Sequence, residues 1–459
     1  MPNDAPTRPS LREIVDSRRL SHVKIGLTDL DGVMRGKLLA ADSVVRGIEG
    51  GLTFCDCIVG WDSDDTLYTN NPNGVTGWHT GYPDTPIRVV ADAVHDLPGE
   101  FGGHGILVLC EMAGQAEPLC PRTLLRRVVE AGRARGYDPV VGFEYEFSLF
   151  AETPQSVREK GYRNLTPVTP GNFGYSVLRT SGAADFADGL LSELAAMGVP
   201  VQALHTENGP GMWEAAIAPS GALEAADRAA VFKTFVKTYA QRHGLMASFM
   251  AKWSVEHQGQ GGHIHISLRD VATGAPLFHD PADPLQASPA LRRFVGGQLS
   301  LMAEMACLLA PTINAYTRLV PGAWAPTAAT WGLDNRTCAL RVVGGTPDAR
   351  RVEYRVAGAD ANPYLALAAA LASGLHGLQE GLAPPPPRVG NAYLDLDPPA
   401  DRLPPTLSEA AGRLRTSLAA RSWFGDAFVD HFAATRDWEE ARFRAAVTDW
   451  ELRRYFEII

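Results

Sequence analysis

The sequence is poor in the features that would direct a chain to a membrane, a nucleic acid or an oxidising compartment. Its most apolar windows, "YLALAAALASGL" and "LSLMAEMACLLA", fall short of the roughly 20 residues that cross a bilayer, and the second contains Glu304. The start, "MPNDAPTRPSLREIVDSRR", has no apolar signal core. Six cysteines (Cys55, Cys57, Cys110, Cys120, Cys307 and Cys338) in 459 residues lack paired CxxC spacing, which disfavours a zinc ribbon or a disulfide scaffold and makes reduced thiols the expectation. With 42 basic residues against 52 acidic ones, a formal −10, and no strongly basic run, no nucleic-acid partner is expected. Nucleotide motifs are missing as well. "GVMRGKLL" is one residue short of a Walker loop and lacks the hydroxyl after its lysine, and "GQGGH" has no dinucleotide spacing. The expectation is a cytoplasmic protein with no membrane partner, working on small soluble substrates.

What is present reads as two unequal parts. "HVKIGLTDLDGVMRGKLLA" (22–40) alternates around the turn "LDG" as a hairpin does, "GILVLCEM" reads as a further strand, and a long Gly/Asn/Asp/Pro-rich loop from Phe54 to Pro86 lies between them. A short arm (1–20) and a small β-rich domain (21–115) are expected before a mixed α+β domain (116–459). Helices are expected from Pro121 to about Gly136 and over 220–243, 288–310 and 361–382, from their three- and four-residue apolar spacing. The run "LAPPPPRVG" is linker-like, and the apolar tail "YFEII" is expected to dock, either on its own chain or on another copy.

Side chains two apart on a strand share a face. "GFEYEFSLF" therefore turns Glu144, Glu146 and Ser148 one way and Phe143, Tyr145, Phe147 and Leu149 the other. "HIHISL" groups His263, His265 and Ser267, "RVEYRV" groups Glu353 and Arg355, and "HTENGPGMWE" supplies His205, Glu207 and Glu214. Such faces either converge on a shared cavity or belong to a sheet with one side in water. If they converge, five glutamates need counter-charge, because unpaired buried charge is costly. Carboxylates with an imidazole suit Mg²⁺ or Mn²⁺ better than Zn²⁺. Hard ions beside the arginine-rich stretch 318–355 point to phosphate oxygens and phosphoryl transfer.

"GFEYEF", "HTENGPGMWE", "GQGGHIHISL", "PTINAYTRLVPG", "NRTCALRV" and "RRVEYRVAGADANPYLALAA", in this order, resemble the glutamine synthetase superfamily, and the likeness spans nearly the whole chain. It implies a small N-terminal β-grasp domain and a large catalytic domain whose curved antiparallel sheet, a half-barrel, is backed by helices. It further implies one metal site from Glu146, Glu207 and Glu214 and a second from Glu144, His263 and Glu353, holding two or three Mg²⁺ or Mn²⁺ ions. Glutamate would be held by Arg318 and Arg355 with Gly259 and His263 beside it. Arg336 would face the transferred phosphoryl group, Arg341 and Arg351 the phosphates of ATP, and His265 and Ser267 the nucleotide. The resemblance also implies a hexameric or dodecameric ring with sites between subunits.

The departures from that family lie on the amine side. Where its ammonia-using members carry a glutamate, "VPGAWAP" carries Trp324, and their Phe-Asp-Gly-Ser-Ser loop reads "FCDCIVGW" here, leaving Asp56, Glu207 or another group as the base and Trp61 as a further pocket wall. Gln258-Gly259 replaces Asn-Gly, and Met212 or Trp213 replaces a glutamine. Trp324 is read as a wall for an organic amine, against the alternative that it packs into a loop core; Trp61, Trp253 and Trp331 are further candidates for that wall, each of which taken alone reads as core. The expected activity is ATP-dependent ligation of L-glutamate to an organic primary amine through a γ-glutamyl phosphate. Glutamine synthesis from ammonia and a non-catalytic homologue are the alternatives. Tyr393 falls near a tyrosine that some relatives modify and is read as a surface structural residue.

Overall fold

Alternating runs and turn chemistry build the first sheet. The computed structural model describes residues 9–70, 75–394 and 402–459. Strands β1 (His22–Thr28), β2 (Met34–Ala40), β3 (Leu52–Cys55), β4 (Asp84–Leu97) and β5 (Gly105–Met112) form a sheet in the order β2-β1-β5-β4-β3, with β1 parallel to β5. The β1–β2 turn is fixed by Asp29, whose Oδ1 accepts from the amides of Asp31 at 3.0 Å and Val33 at 2.9 Å, while Gly32 supplies φ +79°. Helix Ala41–Gly50 follows the hairpin and packs on the sheet, giving a β-grasp arrangement. The long loop expected over 54–86 ends earlier than its composition suggests: Asp84, Thr85 and Pro86 already belong to β4, which escaped the sequence reading because a register shift between Val89 and Val94 breaks its alternation.

The second sheet is larger and mostly antiparallel. It comprises β6 (Tyr137–Phe150), β7 (Val201–Thr206), β8 (Met212–Ile217), β9 (Ser220–Gly221), β10 (Met246–Ser248), β11 (Gly262–Asp270), β12 (Trp331–Leu333), β13 (Leu340–Val343) and β14 (Arg351–Tyr354). Its main path runs β12-β13-β14-β11-β6-β8-β7. Helices Pro121–Arg133, Ala222–Arg242, Pro289–Leu301 and Pro363–Glu380 lie behind this curved half-barrel, so the fold is α+β. Three of these four helices open with proline at the first turn, where its missing N–H costs nothing. Pro289–Leu301 and Pro363–Glu380 meet at Gly297 and Gly377: a β-carbon on Gly297 would stand 2.4 Å from the Gly377 nitrogen, so the approach requires glycine there.

Two expectations change. The run 288–310 is not one helix: it breaks after Leu301 and resumes at Ala306–Leu309, with Glu304 in the gap accepting from the Ser417 hydroxyl. The tail does not dock on its own chain. Helix Asp449–Tyr455 ends in Phe456, Ile458 and Ile459, which are 85%, 85% and 94% exposed. Among the described residues no helix is long and apolar enough to cross a membrane. Asn362, capping helix Pro363–Glu380, reaches back to donate to the Asp29 carbonyl at 2.9 Å and so ties the β1–β2 turn to the large sheet's supporting helices.

Candidate active site

Register decides which polar groups meet. Pairing of β11 with β6 sets His263 opposite Glu144, and pairing of β6 with β8 sets Glu146 opposite Glu214. β7 adds His205 opposite Glu214, and β14 sets Glu353 opposite both His265 and Arg341. The reverse face of β6 is closed by Phe143, Tyr145 and Phe147 stacked with Phe232 and Phe249, which holds the carboxylates toward the cavity. The polar faces therefore converge.

Two groups could each hold a cation: Glu144, His265 and Glu353, and separately His205, Glu207 and Glu214, each with ligand atoms within 4.8 Å of one another. His263 belongs with the first, its Nδ1 lying 3.5 Å from Glu353 Oε1 and 3.8 Å from Glu144 Oε2. Glu146 is anchored to the Gly261 amide, and its charge acts on Glu214. The donor set of carboxylates with imidazole fits Mg²⁺ or Mn²⁺, and the buried Glu207 Oε2 and His205 Nδ1 have no hydrogen-bond partner among the described residues. The electrostatics agree. Burial, then the charges of Glu146, Glu144, Glu207 and Glu353, push the Glu214 carboxyl up to about 9. Burial works the same way on Glu353, but Arg355, His263 and His265 outweigh it and hold that carboxyl down at about 2. Glu144 also lies well below the ordinary carboxylate range: burial opposes the shift, and the imidazoles of His263 and His265 prevail.

Beside these groups Glu146, Glu207, Asn208, Met212, Gln258, Gly259, His263, Arg318, Ala323 and Trp324 line one cavity. Its wall is held from behind by Gln260, fully buried, which accepts from Ser148 Oγ at 2.7 Å and donates to the Ser248 and Met250 carbonyls. Arg318 is buried, donating to the carbonyls of Val356 at 2.9 Å and Arg355 at 3.2 Å. Gly259 is required for that packing, since a β-carbon there would lie 2.6 Å from Arg318 Cγ. Trp324 has φ +56° and is 53% exposed, so it is a cavity wall and not a loop-core residue. Arg355 is ion-paired with Glu353 and keeps a buried, unpartnered Nε. Tyr393 corrects the surface reading: its hydroxyl is buried within the electrostatic reach of Arg355 and Arg318.

The remaining candidates are distributed around this centre. Arg341 bridges Glu353 at 2.8 Å and Asp334, and Arg351 donates to His265 Nδ1 at 3.0 Å, leaving Nε2 of that ring 3.1 Å from Glu144. Both arginines also line a shallower cavity with Gln286, Asp334 and Arg350. Arg336 is exposed, near enough to Tyr175 to act on its hydroxyl, and Tyr175 packs 4.5 Å from the His205 ring. Ser267 continues the His263 and His265 face toward Val140 on β6. Asp56 and Trp61 are not brought in: Asp56 is buried against Thr76 in the first domain, and Trp61 lies under the Arg35 guanidinium at 4.8 Å. Trp331 is core, donating to the Pro385 carbonyl, and Trp253 packs edge-on to Phe150. The sequence reading passed over Asn208 and left His205 unassigned, although its two-residue spacing from Glu207 was the available signal.

Residues 118–455 match the family described as glutamine synthetase, catalytic domain. The chain is 44% identical to type-1 glutamine synthetase 2 of Dictyostelium discoideum over 95% of its own length and 84% of the relative's. It is 36% identical to a glutamate–isopropylamine ligase of a Pseudomonas species over 98% of each. Among solved structures, a GmaS/ADP complex superposes with a TM-score of 0.84 at 27% identity, covering 97% of this chain and 99% of that one.

Proposed function

We propose that this chain, which belongs to the glutamine synthetase family, joins the γ-carboxylate of L-glutamate to an organic primary amine at the expense of ATP. The observation that carries the amine is Trp324. Where an ammonium site needs a carboxylate, the cavity shared by Glu207, Gly259 and Arg318 presents an exposed indole, which offers apolar area and a cation–π face worth about 0.5–2 kcal/mol to an alkylammonium. The similarity to a glutamate–isopropylamine ligase points the same way.

In this reading Arg318, Arg355 and the backbone at Gly259 hold glutamate, with His263 alongside, and turn its γ-carboxylate toward the carboxylate clusters. One γ-carboxylate oxygen attacks the terminal phosphorus of ATP, the bond to ADP breaks, and Arg336 with Arg341 and Arg351 balances charge on the phosphate oxygens. His265 and Ser267 line the nucleotide side. Mg²⁺ or Mn²⁺ would be held by Glu207 and Glu214 with Glu146 beside them, and by Glu144, His263 and Glu353, and would supply the neutralisation that these oxygens need. The amine nitrogen then attacks the acyl carbon, phosphate leaves, and the ammonium proton passes to a base. Asp56 takes that role, with Trp61 as a further wall, if a ring of six or twelve copies sets the first domain of a neighbouring copy over the open edge beside Trp324.

Ammonia as acceptor is the second reading, favoured by the 44% identity to a protein named as a glutamine synthetase. Purified protein with ATP, Mg²⁺ and glutamate is offered ammonium or isopropylamine, ethanolamine, putrescine and aniline in turn, with ADP release and product mass recorded. γ-Glutamylamide from at least one amine, faster than glutamine, is expected, and Trp324→Glu should move the amine-to-ammonia ratio at least tenfold toward ammonia. Turnover with ammonium alone sinks the amine reading, and no ADP release with any acceptor leaves the non-catalytic homologue.

A further inference from the structure

The geometry points to His205 as a ligand of the ion at Glu207 and Glu214, making that position a mixed nitrogen–oxygen site that favours Mn²⁺ over Mg²⁺. His205 Nδ1 stands 3.9 Å from Glu207 Oε2, and Nε2 of the same ring stands 3.8 Å from Glu214 Oε1. These gaps are too long for hydrogen bonds. Only one ring nitrogen can ligate a given ion, and Nδ1 with Glu207 Oε2 matches two donors sharing one, because atoms each about 2.1 Å from a cation lie at most about 4.2 Å apart. One ligand atom from each of His205, Glu207 and Glu214 lies within 4.8 Å of the other two. The atoms that face the gap are unspent: His205 Nδ1 and Glu207 Oε2 are both buried without a hydrogen-bond partner.

Glu146, by contrast, is tied down. Its carboxylate accepts from the Gly261 amide, while its own amide donates to the Gly261 carbonyl at 3.0 Å. It lies outside the group whose ligand atoms fall within 4.8 Å of one another, and His205 lies inside. The imidazole is also positioned. It pairs with Glu214 across β7 and β8 and is covered by the Tyr175 ring, whose amide donates to the Thr206 carbonyl at 2.7 Å. An imidazole donor favours a transition ion, whereas an all-oxygen set suits Mg²⁺ as well as Mn²⁺.

This inference rests on the metal sites proposed above, and its test involves no turnover. Full-length protein without nucleotide or substrate is titrated with Mn²⁺ and followed by electron paramagnetic resonance, with pulsed detection of nitrogen coupling and Mg²⁺ as competitor. His205→Ala, and His205→Phe, which keeps a ring against Tyr175, should each weaken one Mn²⁺ at least tenfold. Both should remove nitrogen coupling from that ion and change Mg²⁺ affinity much less, while Glu146→Gln has the smaller effect on Mn²⁺. Folding of each variant is checked by circular dichroism, and the Phe variant decides if Ala unfolds. Unchanged Mn²⁺ affinity and coupling in a folded variant overturns the role of His205. A wild-type protein that binds no Mn²⁺ overturns the metal sites themselves.

Discussion

Two clusters of charge, one among the helices and one on the polar face of the large sheet, differ in how their carboxylates are partnered. In the scaffold, Arg122 forks onto Asp227 at 2.8 and 2.9 Å and reaches Glu111, Arg88 takes the other Glu111 oxygen at 2.8 Å, and the Tyr364 hydroxyl donates to Asp227 at 2.7 Å. Every carboxylate oxygen there has a donor, and the cluster joins β5 to helices Pro121–Arg133, Ala222–Arg242 and Pro363–Glu380. On the sheet, Glu146, Glu207 and Glu214 face one another, no arginine among the described residues is ion-paired to them although Arg318 lines the same cavity, and the Glu214 carboxyl rises to about 9. The same residue types serve as scaffold where cations balance them and as a candidate ligand site where the balance has to come from outside.

Breaking each cluster should have opposite consequences. Asp227→Ala leaves Nε and one Nη of the buried Arg122, and the Tyr364 hydroxyl, without their acceptor while Glu111 keeps the other Nη, and should cost about 3–5 kcal/mol, read as a lowered midpoint in chemical denaturation. Glu214→Gln replaces a carboxyl that the metal-free fold must hold protonated at neutral pH, so that protein should unfold at the same or a higher denaturant concentration, while ADP release falls by on the order of a thousandfold. If Glu214→Gln destabilises the metal-free protein as Asp227→Ala does, the distinction between the clusters fails.

The part of this that the sequence revealed is the part governed by local geometry. Period-two alternation at 143–149, 263–267 and 352–356 follows from the pleat, so the carboxylate faces were legible strand by strand. The register pairing Glu146 with Glu214 and His265 with Glu353 joins residues 68 and 88 positions apart, and no local pattern encodes it. β4 was obscured by its bulge. Tyr393 turns inward under long-range charges, and Trp324 adopts a left-handed backbone that a non-glycine residue does not advertise. The location of Asp56 and Trp61 in the first domain is likewise tertiary: the loop was legible as functional material, and its distance from the sheet was not.

A titration sharpens the comparison by a smaller effect. Since the Glu214 carboxyl rises from 4.5 to about 9 on folding, the metal-free folded protein holds more protons than the unfolded chain between those values, and its stability falls as pH rises through that window. Divalent ions reverse the penalty by displacing the proton. Mn²⁺ should therefore raise the melting temperature by more at pH 8.5 than at pH 6, and calorimetry in two buffers of different ionisation enthalpy should record about one proton released at pH 7 for the ion at Glu214. Asp227→Ala leaves this linkage in place and Glu214→Gln removes it. Metal binding with no proton release in the wild type contradicts the raised carboxyl.

The smallest expected effect tests packing against the site. In Gly259→Ala the new methyl meets Arg318 Cγ at 2.6 Å and the Ala251 carbonyl at 2.8 Å, and Arg318 cannot yield freely because it is bound to the Val356 and Arg355 carbonyls. Overpacking of this kind costs about 1–3 kcal/mol. Displacement of the guanidinium should raise the KM for glutamate about tenfold, with kcat and the KM for ATP changed much less, because the loss falls on ground-state binding of one substrate. Gly412→Ala is the scaffold counterpart. It lies inside helix Leu407–Thr416 with open space around its β-carbon, so it should stabilise by about 0.5–1 kcal/mol and leave both KM values unchanged. A Gly259→Ala enzyme with unaltered KM for glutamate would separate Arg318 from the substrate and return it to the scaffold, alongside Arg122.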